Sequence, residues 1–180
     1  LIGITLMHEH LFLDLRKNHV PHPLTVNIPG RSEPLITSAD FPATELEVWE
    51  SKLDFKNLHL ANTLAPISDN YMLTDESVAI DEVNNFKKSG GGTIVDVTSI
   101  GLKRDPEALR RVSQATGLHL VMGTGYYQKV FHPEDMDERT VENLTSEIVQ
   151  DITLGIRGSG IRAGVIGEIG VNGNPISFNE

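Results

Sequence analysis

The sequence contains no cysteine. That excludes disulfides, cysteine-ligated zinc, iron–sulfur clusters and a cysteine nucleophile, and leaves the redox compartment open. Cations are in short supply: 15 Lys+Arg face 25 Asp+Glu, a formal net charge of −10. Nucleic acids and anionic membrane surfaces reward clustered Lys and Arg, so neither is an expected partner. No apolar run approaches the roughly 20 residues of a membrane-spanning helix. No signal-peptide pattern is visible, and the chain opens at Leu1 straight into a strand-like run. The expected location is therefore the cytoplasm. Hydrophobic residues at 39% and charged residues at 22% suit a globular chain able to bury a core. By length alone, 180 residues make one domain, since a domain takes about 100–200.

The punctuation divides the chain unevenly. Residues 2–7 read as a short strand ending at His8-Glu9-His10. Residues 19–43 carry Pro21, Pro23, Pro29, Pro34 and Pro42, and proline breaks both helical and strand periodicity. Thr44 to Leu60 predicts one helix, with Leu46, Trp49, Leu53 and Leu60 as its apolar stripe. Thr74 or Asp75 caps a second, running to Lys88 with Val78, Ile80, Val83 and Phe86 apolar. Beyond Gly90-Gly91-Gly92 the pattern becomes regular. Thr93–Thr98 is a β-branched strand, and Asp105-Pro106 opens a helix with Leu109, Val112 and Ala115 inward and Gly117 closing it. Leu118–Met122 is a strand. Thr140 caps a helix with Val141, Leu144, Ile148 and Ile152 on one face, and Ala163–Ile169 is the last strand. Strands alternating with helices predict a parallel sheet with helices outside, interrupted by an insertion at about 20–73.

Few residues stand out as carriers of chemistry. His8 and His10 are two apart at a strand end, so their side chains point to the same face and can converge on a cation. The competing reading is two surface histidines. Glu168 lies inside the apolar run Val165–Ile169. A buried carboxylate there needs a cationic partner, a metal or Arg162, unless it is exposed at the strand end. Gly167 and Gly170 beside it leave room close to the backbone. Asp96 reads either as a ligand, as an acceptor for a histidine N–H, or as a strand-end carboxylate bound to a loop. Tyr126 and Tyr127, after Gly123-Thr-Gly125, either line a pocket mouth or pack under the loop. His19, His22, His59, His119 and His132 lack ligand spacing. Gly90-Gly91-Gly92 lacks the Lys-Ser/Thr of a phosphate loop and reads as a turn. Asn143-Leu144-Thr145 is a glycosylation sequon, but it falls within a predicted helix and reads as chance.

Four segments together resemble the phosphotriesterase family of the amidohydrolase superfamily, most closely its phosphotriesterase-related branch. They are Thr5–Leu11 (TLMHEHL), Gly90–Thr98 (GGGTIVDVT) with Gly101–Asp105 (GLKRD), Gly123–Tyr127 (GTGYY) and Gly164–Gly170 (GVIGEIG). They occur in the family's order along nearly the whole chain. The resemblance implies a (β/α)8 TIM-barrel metal-dependent hydrolase with two divalent metal ions, zinc foremost, at the C-terminal ends of its strands. It implies His8 and His10 on one ion and Glu168 bridging to the second, where better-known members carry a carboxylated lysine. It implies a metal-activated hydroxide acting on an ester, lactone, amide or phosphoester. Tyr127 stands where related lactonases present a tyrosine to substrate. Two further histidines and the proton-shuttling Asp would come from later strands, beyond Glu180.

A complete barrel of this type takes about 250 residues, so the chain is expected to be the N-terminal half of one, with only the first four βα units. Alone, such a half is expected to bind metal weakly and to be inactive. The expected partner is a small-molecule substrate. Two alternatives remain open at this point: a TatD-type metal-dependent nuclease, which shares the His-x-His and Gly-Glu-Ile-Gly strands, and a non-catalytic half-barrel that pairs its edges in a homodimer.

Overall fold

A computed structural model of the chain describes residues 2–16, 43–61 and 67–171. The chain divides into two compact units, one comprising Leu1–Leu13 and Leu73–Glu180, the other Asp14–Met72. The first carries a four-stranded, wholly parallel sheet: β1 (Ile4–Glu9), β2 (Gly91–Asp96), β3 (His119–Thr124) and β4 (Val165–Ile166), in that spatial order. Helices α1 (Glu76–Lys88), α2 (Pro106–Thr116) and α3 (Val141–Thr153) precede β2, β3 and β4 respectively. Parallel neighbours require such crossovers. The strands lie in chain order without reversal, which distinguishes a sheet curling toward a barrel from a doubly wound one. The expected α/β architecture of four strands is therefore present. Among the described residues no helix is long and apolar enough to cross a membrane.

The helices begin where their caps dictate. The Asp75 carboxylate accepts from the Ser77 and Val78 amides, and Asp105 accepts from Ala108 N–H at 2.9 Å. Pro106 occupies the first turn of α2, and Gly117 ends it at φ +72°, a left-handed conformation suited to glycine. Thr140 and Asn143 cap α3 reciprocally. The amide of the apparent glycosylation sequon is thus engaged in starting a helix.

Between sheet and helices lies the core. Ala79, Val83, Ile94, Ala108, Leu109, Val112, Leu118, Met122, Ile156, Ala163 and Phe12 form one buried cluster. The apolar faces differ from expectation at single positions. Val78 and Val141 are exposed, and α1 buries Ala79 instead. On α2 the buried stripe is Ala108, Leu109, Val112 and Thr116, leaving Ala115 outside. In each case the sheet contacts a narrower arc than the apolar pattern allows.

Two elements depart from the sequence reading more substantially. The helix expected over 44–60 is broken into Ala43–Glu50 and Leu58–Ala61, both in the Asp14–Met72 unit. Between them Asp54 accepts from the Lys56 and Asn57 amides, and Asn57 in turn binds Asp54 N–H and the Lys52 carbonyl. Asp and Asn side chains here take over backbone partners that a helix would use. Lys52 binds Asp69 at 2.6 Å and holds its carboxyl below the usual range. Residues 17–42 and 62–66, which include His19, His22 and all five prolines of 19–43, lie outside the described residues. The second departure is β4, two residues long rather than the expected 163–169. Its flanks still follow the sheet: Gly164 N–H binds Met122 O, and Gly167 N–H binds Thr124 O. Gly123 is what permits this approach, since a Cβ there would stand 2.1 Å from the Gly167 carbonyl oxygen.

A buried ion pair fastens the sheet to α3. Arg104, in the connection after β2, binds Asp151 at 2.7 Å, with side-chain exposures of 10% and 5%. Thr124 donates its hydroxyl to the same carboxylate oxygen at 2.6 Å. Removing one member of such a pair strands the other charge in the interior. Arg104→Met is therefore expected to lower stability by about 3–5 kcal/mol, read as a lower urea midpoint; a change within error would contradict this role.

Candidate metal centre

At the C-terminal end of the sheet β1 delivers its two histidines together. His8 is within β1 and His10 one residue beyond, and their rings sit 5.6 Å apart in an edge-to-face arrangement. Glu168 reaches them from beyond β4. Its Oε2 lies 3.1 Å from His8 Nε2 and its Oε1 3.5 Å from His10 Nε2. The three ligand atoms fall within 4.8 Å of one another, and among the described residues no other group of three His, Asp or Glu side chains does so. Zinc bonds of about 2.0–2.2 Å in a tetrahedron place neighbouring donors about 3.3 Å apart, so two imidazoles and a carboxylate at these separations fit one divalent ion. The site is open on one side: His8 is 62% exposed, His10 21% and Glu168 20%.

The end of β2 braces the segments that carry these three residues. Val97 N–H binds Glu9 O at 3.0 Å and Val97 O accepts from Glu168 N–H at 2.8 Å, so one residue ties both ligand-bearing segments. Asp96 is buried and lies outside the cluster of His8, His10 and Glu168. Its two oxygens accept from Leu11 N–H at 2.7 Å and Thr98 N–H at 3.0 Å, which is the loop-binding alternative. Thr98, which the sequence reading passed over, is the side chain that meets one of these histidines: its Oγ1 is 3.0 Å from His10 Nδ1. The available signal was its period-two alternation with Asp96 along the strand. Glu168 has no ion pair with Arg162 among the described residues.

The two tyrosines separate. Tyr126 is buried and donates to Glu147 at 2.6 Å while accepting from Arg139 at 3.0 Å; it packs under the loop. Burial, then the Glu147 hydrogen bond, raise its pKa well above the ordinary tyrosine value. Tyr127 is close enough to Glu168 to feel its charge. Gly170 lies directly beneath its ring, where a Cβ would be 2.4 Å away, and the room expected beside Gly170 is thus filled by Tyr127. Burial and the Glu168 charge raise the Tyr127 pKa, keeping it a neutral phenol. His132 binds the Tyr127 carbonyl at 2.7 Å, while His59 and His119 are exposed.

Residues 1–179 match the phosphotriesterase family. The chain belongs to that family. This sets aside the TatD-type nuclease alternative. The chain is 35% identical over 99% of its length to an N-acetyltaurine hydrolase of Danio rerio, of which it covers 46%. It superposes with a TM-score of 0.76 on a resiniferatoxin-binding protein from Rhodobacter sphaeroides, at 35% identity, covering 94% of this chain and 43% of that one. The phosphotriesterase homology protein of Escherichia coli, complexed with phosphate in its active site, aligns with a TM-score of 0.66 at 25% identity, covering 99% and 45% respectively. The chain therefore spans slightly under half of the proteins it matches, and its sheet corresponds to a part of their folds.

Two outcomes test this geometry. Asp96→Asn leaves one acceptor oxygen for two amides, so exchange at Leu11 or Thr98 should accelerate and stability should fall by about 1–3 kcal/mol; unchanged exchange at both would refute the bracing role. The raised Tyr126 pKa means that the folded state holds this proton more tightly than the unfolded state, whose tyrosine titrates near pH 10. The resulting stability is intact below about pH 10 and is lost as pH rises toward the folded value. The parent chain should thus lose more stability than Tyr126→Phe between about pH 10 and 11 in urea titrations.

Proposed function

We propose that the chain is the N-terminal half of a barrel hydrolase and supplies His8, His10 and Glu168 to a centre for two divalent ions, zinc first among them. The observation that carries this is the convergence of two imidazole nitrogens and a carboxylate at the C-terminal end of a parallel sheet, the face on which βα barrels build their sites. Exposed Ile2, Ile4 and Met7 at the β1 edge and Ile166, Ile169 and Val171 at the β4 edge support the half-barrel reading, because apolar residues at both ends of a sheet favour further strands there.

His10 and His8 would hold one ion by Nε2, and the Glu168 carboxylate, with one oxygen toward each histidine, would reach between two. Ions held there would lower the pKa of a water and polarise the substrate's carbonyl or phosphoryl oxygen. The Val97 carbonyl accepts the Glu168 N–H and so fixes the backbone from which this carboxylate projects. Tyr127, as a neutral phenol beside Glu168, offers a hydrogen-bond donor to a small-molecule substrate. The remaining ligands and the proton-shuttling acid would come from the part of the relatives that the chain does not span. An acyl amide of a small sulfonate is the first substrate class to test, since the Danio rerio relative is an N-acetyltaurine hydrolase; esters, lactones and phosphoesters come next.

Zinc titration of the chain followed by chelator competition tests the ligand set. Weak binding of one zinc per chain is expected in the parent, with loss of more than about tenfold in affinity for His10→Ala or Glu168→Gln, since each removes one of few donors. Binding that survives both substitutions would place the metal elsewhere. Turnover of N-acetyltaurine by the zinc-loaded chain alone should be absent or weak, and full activity with two tightly bound ions would overturn the half-barrel reading.

A further inference from the structure

We propose that Thr98 is the positioning residue of His10, holding the imidazole by Nδ1 so that Nε2 is aimed at the cation. This rests on the metal reading above. Thr98 is fully buried at 0% exposure, and its Oγ1 stands 3.0 Å from His10 Nδ1. The opposite ring nitrogen is the one 3.5 Å from Glu168 Oε1. The ring is thus gripped at one end while its other end faces the remaining donors.

A neutral imidazole has one N–H and one lone pair. A cation at Nε2 uses the lone pair there, so the proton sits on Nδ1 and needs an acceptor; the Thr98 oxygen is that acceptor. Without a cation, Nε2–H can face the Glu168 carboxylate, and the Thr98 hydroxyl then rotates to donate to Nδ1. Between these states Nε2 releases a proton to water and Nδ1 takes one up, leaving the ring neutral. A carboxylate or carbonyl only accepts and would serve one state. A hydroxyl both donates and accepts, so it keeps the ring orientation in both.

Thr98 is itself fixed through its backbone. Its N–H is held by Asp96 Oδ1, and Asp96 Oδ2 holds Leu11 N–H, one residue past His10. One buried carboxylate therefore sets the two backbones between which the Thr98–His10 contact spans. The hydroxyl position follows from the β1–β2 junction and not from a bound ion.

Thr98→Val removes the hydroxyl at constant shape, and Thr98→Ser keeps it; Thr98→Ala is a second deletion should the valine variant not fold. Zinc affinity by chelator competition and ¹⁵N shifts of the His10 ring, with and without zinc, are the readouts. Deleting the hydroxyl should weaken zinc binding about 10–100-fold and change the His10 tautomer balance in the metal-free chain. Thr98→Ser should stay close to the parent in both. Equal losses in Thr98→Ser and Thr98→Val would assign the effect to packing at this position and not to the hydroxyl, and would overturn the proposal, as would parent-like affinity and ¹⁵N shifts in Thr98→Val. A parent chain that binds no zinc would overturn the metal reading alone. The metal-free ¹⁵N shifts would then still decide the Thr98–His10 bond, unchanged shifts on hydroxyl deletion overturning it.

Discussion

Three consecutive residues at the end of β2 hold the site together. Asp96 binds the backbones of Leu11 and Thr98, Val97 pairs with Glu9 on one side and Glu168 on the other, and Thr98 meets the His10 ring. Histidines from the start of the chain and a carboxylate from near its end are thereby referred to one rigid element. Parallel pairing explains why this element is β2. It is the immediate neighbour of β1, and where β4 ends, the chain after Gly167 leaves β3 and reaches the Val97 carbonyl.

The cost of placing a carboxylate among apolar strands is met locally. Glu168 is one-fifth exposed and faces two imidazoles, a setting in which a divalent ion would add charge compensation. Two other buried carboxylates have different solutions. Asp96 is satisfied by backbone amides, which orient it without a counter-ion, and Asp151 by Arg104 and Thr124. These three acids thus serve different purposes: one meets the two histidines, one braces the loops around them, and one fastens the helix layer outside.

Much of the fold was legible because its signals are local. Asp75, Asp105-Pro106 and Thr140 mark helix starts through groups within three residues, and the β-branched run after Gly92 marks β2. The errors were equally physical. The 44–60 stripe resembled one helix, but Asp54 and Asn57 bind the backbone between two shorter ones. Val78, Ala115 and Val141 have the right composition for an inner face, yet the sheet does not reach them. Ala163–Ile169 has strand propensity throughout, while its ladder narrows to two residues before the chain turns to deliver Glu168.

For the site, the spacing of His8 and His10 already determined that both could point one way, because side chains two apart in a strand share a face. The odd placement of Glu168 already asked for a cationic partner. What only the tertiary structure decided is who meets whom across 158 to 160 residues of separation, counted from His10 and His8 to Glu168. Glu168 faces the histidines and not Arg162, Asp96 serves the backbone and not the ligands, Thr98 takes the His10 ring, and Tyr127 rather than Tyr126 lies near the site. The reason is that these choices depend on register between parallel strands, and register is a property of the assembled sheet that no single segment carries.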